Sequence, residues 1–97
     1  MKEIIRLKEM LEYENIPFEF TERKEMEGFQ IGYPKLPPGN CVCSVIQHIH
    51  SYGNNDNLIE IMGLSHYDDD VEGYLSAEEV CERIKRHYKA GGIDERS

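Results

Sequence analysis

Apolar residues change their spacing twice along this chain, and that double switch restricts the fold more than any other feature of the sequence. Between Lys2 and Glu14 they recur at helical intervals: Ile4, Leu7 and Leu11 make one stripe, widened by Ile5 and Met10. Asn15 tolerates the left-handed backbone that ends helices, and Pro17 forbids continuation. From Phe18 the interval drops to two. Phe18 and Phe20 point inward, Glu19 and Thr21 outward, and after a polar turn from Glu22 to Gly28 the alternation resumes with Phe29, Ile31 and Tyr33. This pattern predicts a β-hairpin. Pro34, Pro37, Pro38, Gly39 and Asn40 then form a rigid connection that no central strand accommodates.

Cys41 to Tyr52, rich in Val and Ile, is expected to be the longest strand. Gly53-Asn54-Asn55-Asp56 is a dense turn signal, and Leu58 to Leu64 is expected to return antiparallel to the preceding strand. An acidic loop from Ser65 to Leu75 leads to Ser76-Ala77-Glu78-Glu79, a capping box. Helical spacing returns there. Val80, Cys81, Ile84 and Tyr88 line one face, Lys85, Arg86, His87 and Lys89 suit the C-terminal dipole, and Gly91-Gly92 stops the helix. The expected fold is therefore α+β in the order α-β-β-β-β-α. It is a four-stranded, mainly antiparallel sheet with two helices packed on one face and the other face partly open. A chain of 97 residues closes one core, so residues 1–92 are expected to form a single domain and 93–97 a flexible tail.

Charge is distributed unevenly. The net charge is -8, and between Leu36 and Glu82 there are nine acidic residues with no Lys or Arg. Such a middle repels phosphate backbones and argues against generic nucleic-acid binding, but it suits a basic protein surface. No apolar run reaches the roughly 20 residues needed to span a bilayer, and Lys2, Glu3 and Arg6 break any signal-peptide pattern. A cytoplasmic protein is expected. Cys41, Cys43 and Cys81 are an odd set, two of them only two residues apart, which predicts free thiols rather than a disulfide framework.

Asp68, Asp70, Glu72, Gly73 and Glu79 fall at the ligand and turn positions of an EF-hand loop spanning residues 68–79. Against calcium stand the length of Glu72, the strand-like segment before the loop and the lack of a second loop. His48 and His50 share a strand face, as do Cys41 and Cys43. In a regular strand, however, Cys43 and His48 are roughly 16 Å apart, too far to share one ion. Ser44, Ser51 and the cysteines sit in no nucleophile motif, and no Gly-rich phosphate loop is present. Neither an enzyme nor a cofactor is expected.

What remains is a polar and aromatic surface: Gln47, His48, His50, Ser51, Tyr52 and Asn54 with Tyr33 from the hairpin. On an extended strand, these groups suit a small nucleotide-like ligand, with Arg6, Arg23 or Lys24 available for a phosphate. The alternative is a protein contact through Asp68, Asp69, Asp70 and Glu72, in which the acidic stretch from Asp56 to Glu82 blocks a basic surface such as a DNA groove. An exposed sheet edge would also permit a homodimer.

The segments Val45-Ile46-Gln47-His48, Ser51-Tyr52-Gly53, Leu58 to Leu64 and Gly73 to Val80 resemble small proteins encoded in bacteriophage and prophage genomes, over the span from Gly28 to Tyr88. The resemblance implies an accessory protein that inhibits or sequesters a component of host defence. It implies no site residues. In that family the capping segment is kept without the aspartates, which further disfavours calcium.

Overall fold

The computed structural model describes residues 1–65 and 70–92. Helix α1, Glu3–Tyr13, is followed by β1, Glu19–Arg23, and a short 3-10 turn, Lys24–Met26. Then come β2, Gly28–Pro34, and β3, Cys41–Gln47, with a second 3-10 turn at Asn54–Asp56. The chain ends with β4, Ile59–Met62, β5, Val71–Leu75, and α2, Ala77–Lys89. The five strands form one antiparallel sheet in sequence order, each paired with its neighbours along the chain.

Strand alternation sorts the side chains between two faces. Ile31 and Tyr33 of β2, Cys43 and Val45 of β3, and Ile59 and Ile61 of β4 are buried on one face. Ile4, Leu7 and Leu11 of α1 and Val80, Cys81 and Ile84 of α2 close over them in one core. Each such aliphatic side chain contributes roughly 1.5–3 kcal/mol relative to exposure. The opposite face carries a polar ladder: Arg23 Nη1 donates to Gln30 Oε1 at 2.7 Å, and Gln30 Nε2 donates to Ser44 Oγ at 2.8 Å. Among the described residues no helix is long and apolar enough to cross a membrane.

Two expectations need correction. The sheet has five strands rather than four, because Val71–Leu75, expected to be loop, pairs with β4. The long strand also stops at Gln47 instead of running to Tyr52. Its partners give out there: Gln47 already faces Phe29, next to the first residue of β2, and Ile46 faces Glu60, so Gln47 stands opposite the start of β4. Beyond that point His48 and Ser51 bond to one another within the turn, while the Ile49 N–H donates to the Met26 carbonyl at 3.1 Å. The His48 N–H donates to Ser51 Oγ at 2.9 Å, and the His48 carbonyl accepts both the Ser51 hydroxyl, at 2.9 Å, and the Ser51 N–H, at 3.0 Å. A serine offering these bonds competes with the ladder. The predicted tail, residues 93–97, lies outside the described residues.

Both helix starts are held by distant side chains. Ser76 caps α2, its Oγ accepting the Glu79 N–H at 3.2 Å, as the capping box predicted. Lys2 gives α1 no side-chain cap. The first N–H groups of α1 are satisfied across the core: Glu3 N–H donates to Asn57 Oδ1 at 3.0 Å and Ile4 N–H to Gln47 Oε1 at 2.9 Å. The Glu3 carboxylate accepts the Ala77 N–H of α2 at 2.7 Å and is paired with Arg6 at 2.9 Å.

Candidate functional site

The residues expected to form a ligand surface are split by the fold. Tyr33 is fully buried beneath α2, where its hydroxyl shares a 2.8 Å hydrogen bond with His87 Nδ1. Gln47 is 1% exposed, and besides holding Ile4 its Nε2 donates to Asn57 Oδ1 at 2.8 Å. Four residues of strand separate Gln47 from Cys43, the partner of Tyr33, which is about 13 Å. His48 and Ser51 are buried in the turn they build, and the His48 Nδ1 accepts the His50 N–H at 3.1 Å. The exposed His50 ring lies 6.2 Å from that of His48, edge to face. Asn54 is half-buried and opens the 3-10 turn.

Of the set only His50 and Tyr52 are exposed, and Tyr74 of β5 stands beside Tyr52; the two tyrosines are 62% and 61% exposed. With Ile49, Ser51, Asn55 and Asp56 they line a pocket of about 170 Å³. Backbone contacts fix the two tyrosines. Tyr52 N–H donates to Glu60 Oε1 at 2.9 Å and the Tyr52 carbonyl accepts the Tyr74 N–H at 3.4 Å. Gly73 makes this approach possible, since a Cβ there would collide with that of Tyr52. Gly53 takes the left-handed turn at φ 98°. Tyr74 also has positive φ, 58°, a conformation that costs a bulky side chain roughly 1–3 kcal/mol. Strain of this kind, holding an aromatic ring toward solvent beside a pocket, marks the place as the strongest candidate site.

Its electrostatics are one-signed. Asp56 is exposed and makes no ion pair among the described residues, and the pocket lining includes no Lys or Arg. Two shallower grooves of about 300 Å³ each lie elsewhere, and most of their charged lining groups are already paired, Glu9 of the first making no ion pair among the described residues. In the first, Arg6 pairs with Glu3 and Glu78, and Glu14 with Lys85 at 2.9 Å. In the second, Arg83 pairs with Glu72 at 2.8 Å and Arg86 with Glu82 at 3.4 Å.

Of the expected protein-contact set, Asp68 and Asp69 lie outside the described residues. Asp70 is exposed. Glu72 is withdrawn from solvent: both its oxygens are held by the Arg83 guanidinium, at 2.8 and 3.0 Å. The same bonds remove it from any EF-hand role. Residues 71–75 are strand, a strand rather than a helix precedes the loop, and Glu79 faces Ser76 in its capping box. Among the described residues no three His, Cys, Asp or Glu side chains are grouped to hold a metal ion. Burial pushes the Cys43 thiol up to about 12, and burial also raises the Cys41 and Cys81 thiols, so all three are poor nucleophiles at neutral pH.

Ile49 and Tyr74 were missed by sequence reasoning. Sequence patterning places Ile49 in a strand interior and Tyr74 in a loop, with no link to Tyr52. Models of known protein families, curated proteins and solved structures offer no match to this chain.

Proposed function

We propose that this protein acts by binding rather than catalysis, and that the Tyr52–Tyr74 end of the sheet takes a basic side chain from the surface of a protein partner. The observation carrying this reading is the pair of exposed tyrosines around a pocket whose only charged lining group, among the described residues, is Asp56. Tyr and Arg dominate binding energy at protein interfaces, and a guanidinium or ammonium is attracted to both an aromatic face and a carboxylate. The pocket is smaller than the roughly 300–1,000 Å³ usual for small-molecule sites and offers a phosphate no cation. That weighs against the nucleotide-like ligand. The acidic stretch from Leu36 to Glu82 extends the attraction beyond the pocket. The resemblance to phage-encoded proteins favours a host defence protein as the partner, its nucleic-acid groove being a basic surface of the right kind.

Titrating isotope-labelled protein with an arginine-rich peptide, and separately with linear and cyclic nucleotides, tests the reading by NMR. The peptide is expected to shift the amides of Tyr52, Asn55, Asp56 and Tyr74, with an effect that fades as salt is raised. Nucleotides shifting those amides while the peptide does not would overturn it in favour of ligand capture.

A further inference from the structure

The two outer strands of the sheet are not equivalent. The ladder between β4 and β5 carries a register shift, and β5 contains the left-handed Tyr74 tied to Tyr52. Such an edge is bent away from further pairing. Strand β1 is regular. Its five residues match β2 one for one without a shift, and among the described residues no strand lies on its far side. An unbroken free edge is a template for another strand.

Charges on an edge ordinarily block pairing, but the order of those on β1 reverses that effect for one partner. Glu19, Thr21 and Arg23 lie on the open face of the sheet, and Phe20 and Glu22 lie on the helix side. Laid antiparallel against a second β1 about Thr21, each Glu19 stands opposite Arg23 of the second copy, and the two-fold axis makes that pair twice. Both groups have capacity left. Glu19 Oε1 accepts the Leu36 N–H at 2.8 Å, leaving Oε2. Arg23 gives Nε to Glu25 at 3.0 Å and Nη1 to Gln30, leaving Nη2.

On the helix side Phe20 stands opposite Glu22 of the second copy, and the Lys8 ammonium, paired with Glu12 at 3.4 Å, lies 5.5 Å from the centre of the Phe20 ring. A parallel pairing would set Glu19 beside Glu19, and a slip of one residue would exchange the faces. We infer that the protein forms a two-fold dimer through β1, joining two five-stranded sheets into one and leaving both Tyr52–Tyr74 ends at the outside.

Sedimentation equilibrium tests this with three proteins, each checked for native circular dichroism, and with a mixture of the two variants. Wild type is expected to move from the 11.3 kDa monomer toward twice that mass as concentration rises to the millimolar range. Glu19→Arg alone and Arg23→Glu alone each set like charges opposite one another, and each is expected to weaken dimerisation about tenfold or more. Mixed together they are expected to form a heterodimer, since every opposing pair is then of opposite sign. Wild type monomeric throughout, a dimer indifferent to both reversals, or a mixture that stays monomeric would each overturn the assignment.

Discussion

The side-chain oxygen of Gln47 accepts the backbone N–H of Ile4 at 2.9 Å, across 43 residues of sequence. The last residue of a strand thereby does for α1 what an N-cap usually does locally. Gln47→Leu keeps the volume but leaves a buried N–H unsatisfied and takes a donor from Asn57. It is expected to cost about 2–3 kcal/mol. In thermal melts followed by circular dichroism, that is a fall on the order of 10 °C for a domain of this size. An unchanged melt would mean that the start of α1 needs no side chain from the sheet.

Glu72 and Arg83 form the most buried of the ion pairs described, 12% and 10% exposed at the side chain. Glu72→Leu takes two charge-assisted bonds from the Arg83 guanidinium, so it is expected to destabilise by roughly 3–5 kcal/mol. The double variant Glu72→Leu with Arg83→Leu is expected to recover part of that loss, because both desolvated charges are then replaced by apolar side chains. Urea denaturation of the four proteins in the cycle measures the coupling. Calcium is expected to leave the wild-type melt where it is, since a bound ion would raise it.

Alkaline pH is expected to weaken the fold through two buried groups. Burial raises the Tyr33 hydroxyl from 10.0 to about 12, with Cys43 and Tyr88 adding to the shift, and burial raises the Cys43 thiol from 9.0 to about 12. In that interval the unfolded chain has released protons that the folded chain keeps, so stability falls as pH rises. The contribution is complete below about 9 and is lost progressively up to about 12. Tyr33→Phe is expected to make the fall above 10 less steep, leaving the thiol contribution that runs from about 9 to about 12. Denaturant midpoints measured across this range check it, and identical slopes for both proteins would exclude Tyr33 as a source.

The parts of the fold that were readable beforehand are those whose signals are local. The α1 stripe, the hairpin around residues 24–26, the proline-rich connection and the Ser76 cap each follow from residues within a turn or two of one another. Strand β5 was not readable. Gly73 and the left-handed Tyr74 break its alternation, and its identity comes from pairing with β4. The candidate site suffered for a related reason. A Gln on a strand gives no sign of whether it faces solvent or caps a helix, and the bonds of Gln47 run to Ile4 and Asn57. Tyr33 likewise finds its hydroxyl partner in His87. Tyr52 belongs both to the expected surface and to the pocket, because the turn signal around Gly53 is local, whereas Asp56 was legible only as part of the acidic stretch.

Tyr74 provides a test that separates binding from stability. Its ring is largely exposed, so truncation removes little packing, while its backbone sits at φ 58°, which Asn tolerates far better than Tyr. Tyr74→Asn is therefore expected to leave the melting temperature unchanged or raise it, by an amount equivalent to at most about 1 kcal/mol. The same substitution removes one aromatic wall of the pocket and is expected to weaken binding of the arginine-rich peptide about tenfold or more. Asp56→Asn, which keeps the shape of the pocket and removes its charge, is expected to weaken binding and to flatten its dependence on salt. If Tyr74→Asn lowered stability, the ring would be packing rather than waiting for a partner. If it left peptide binding intact, the basic side chain would have to be received elsewhere on the acidic surface.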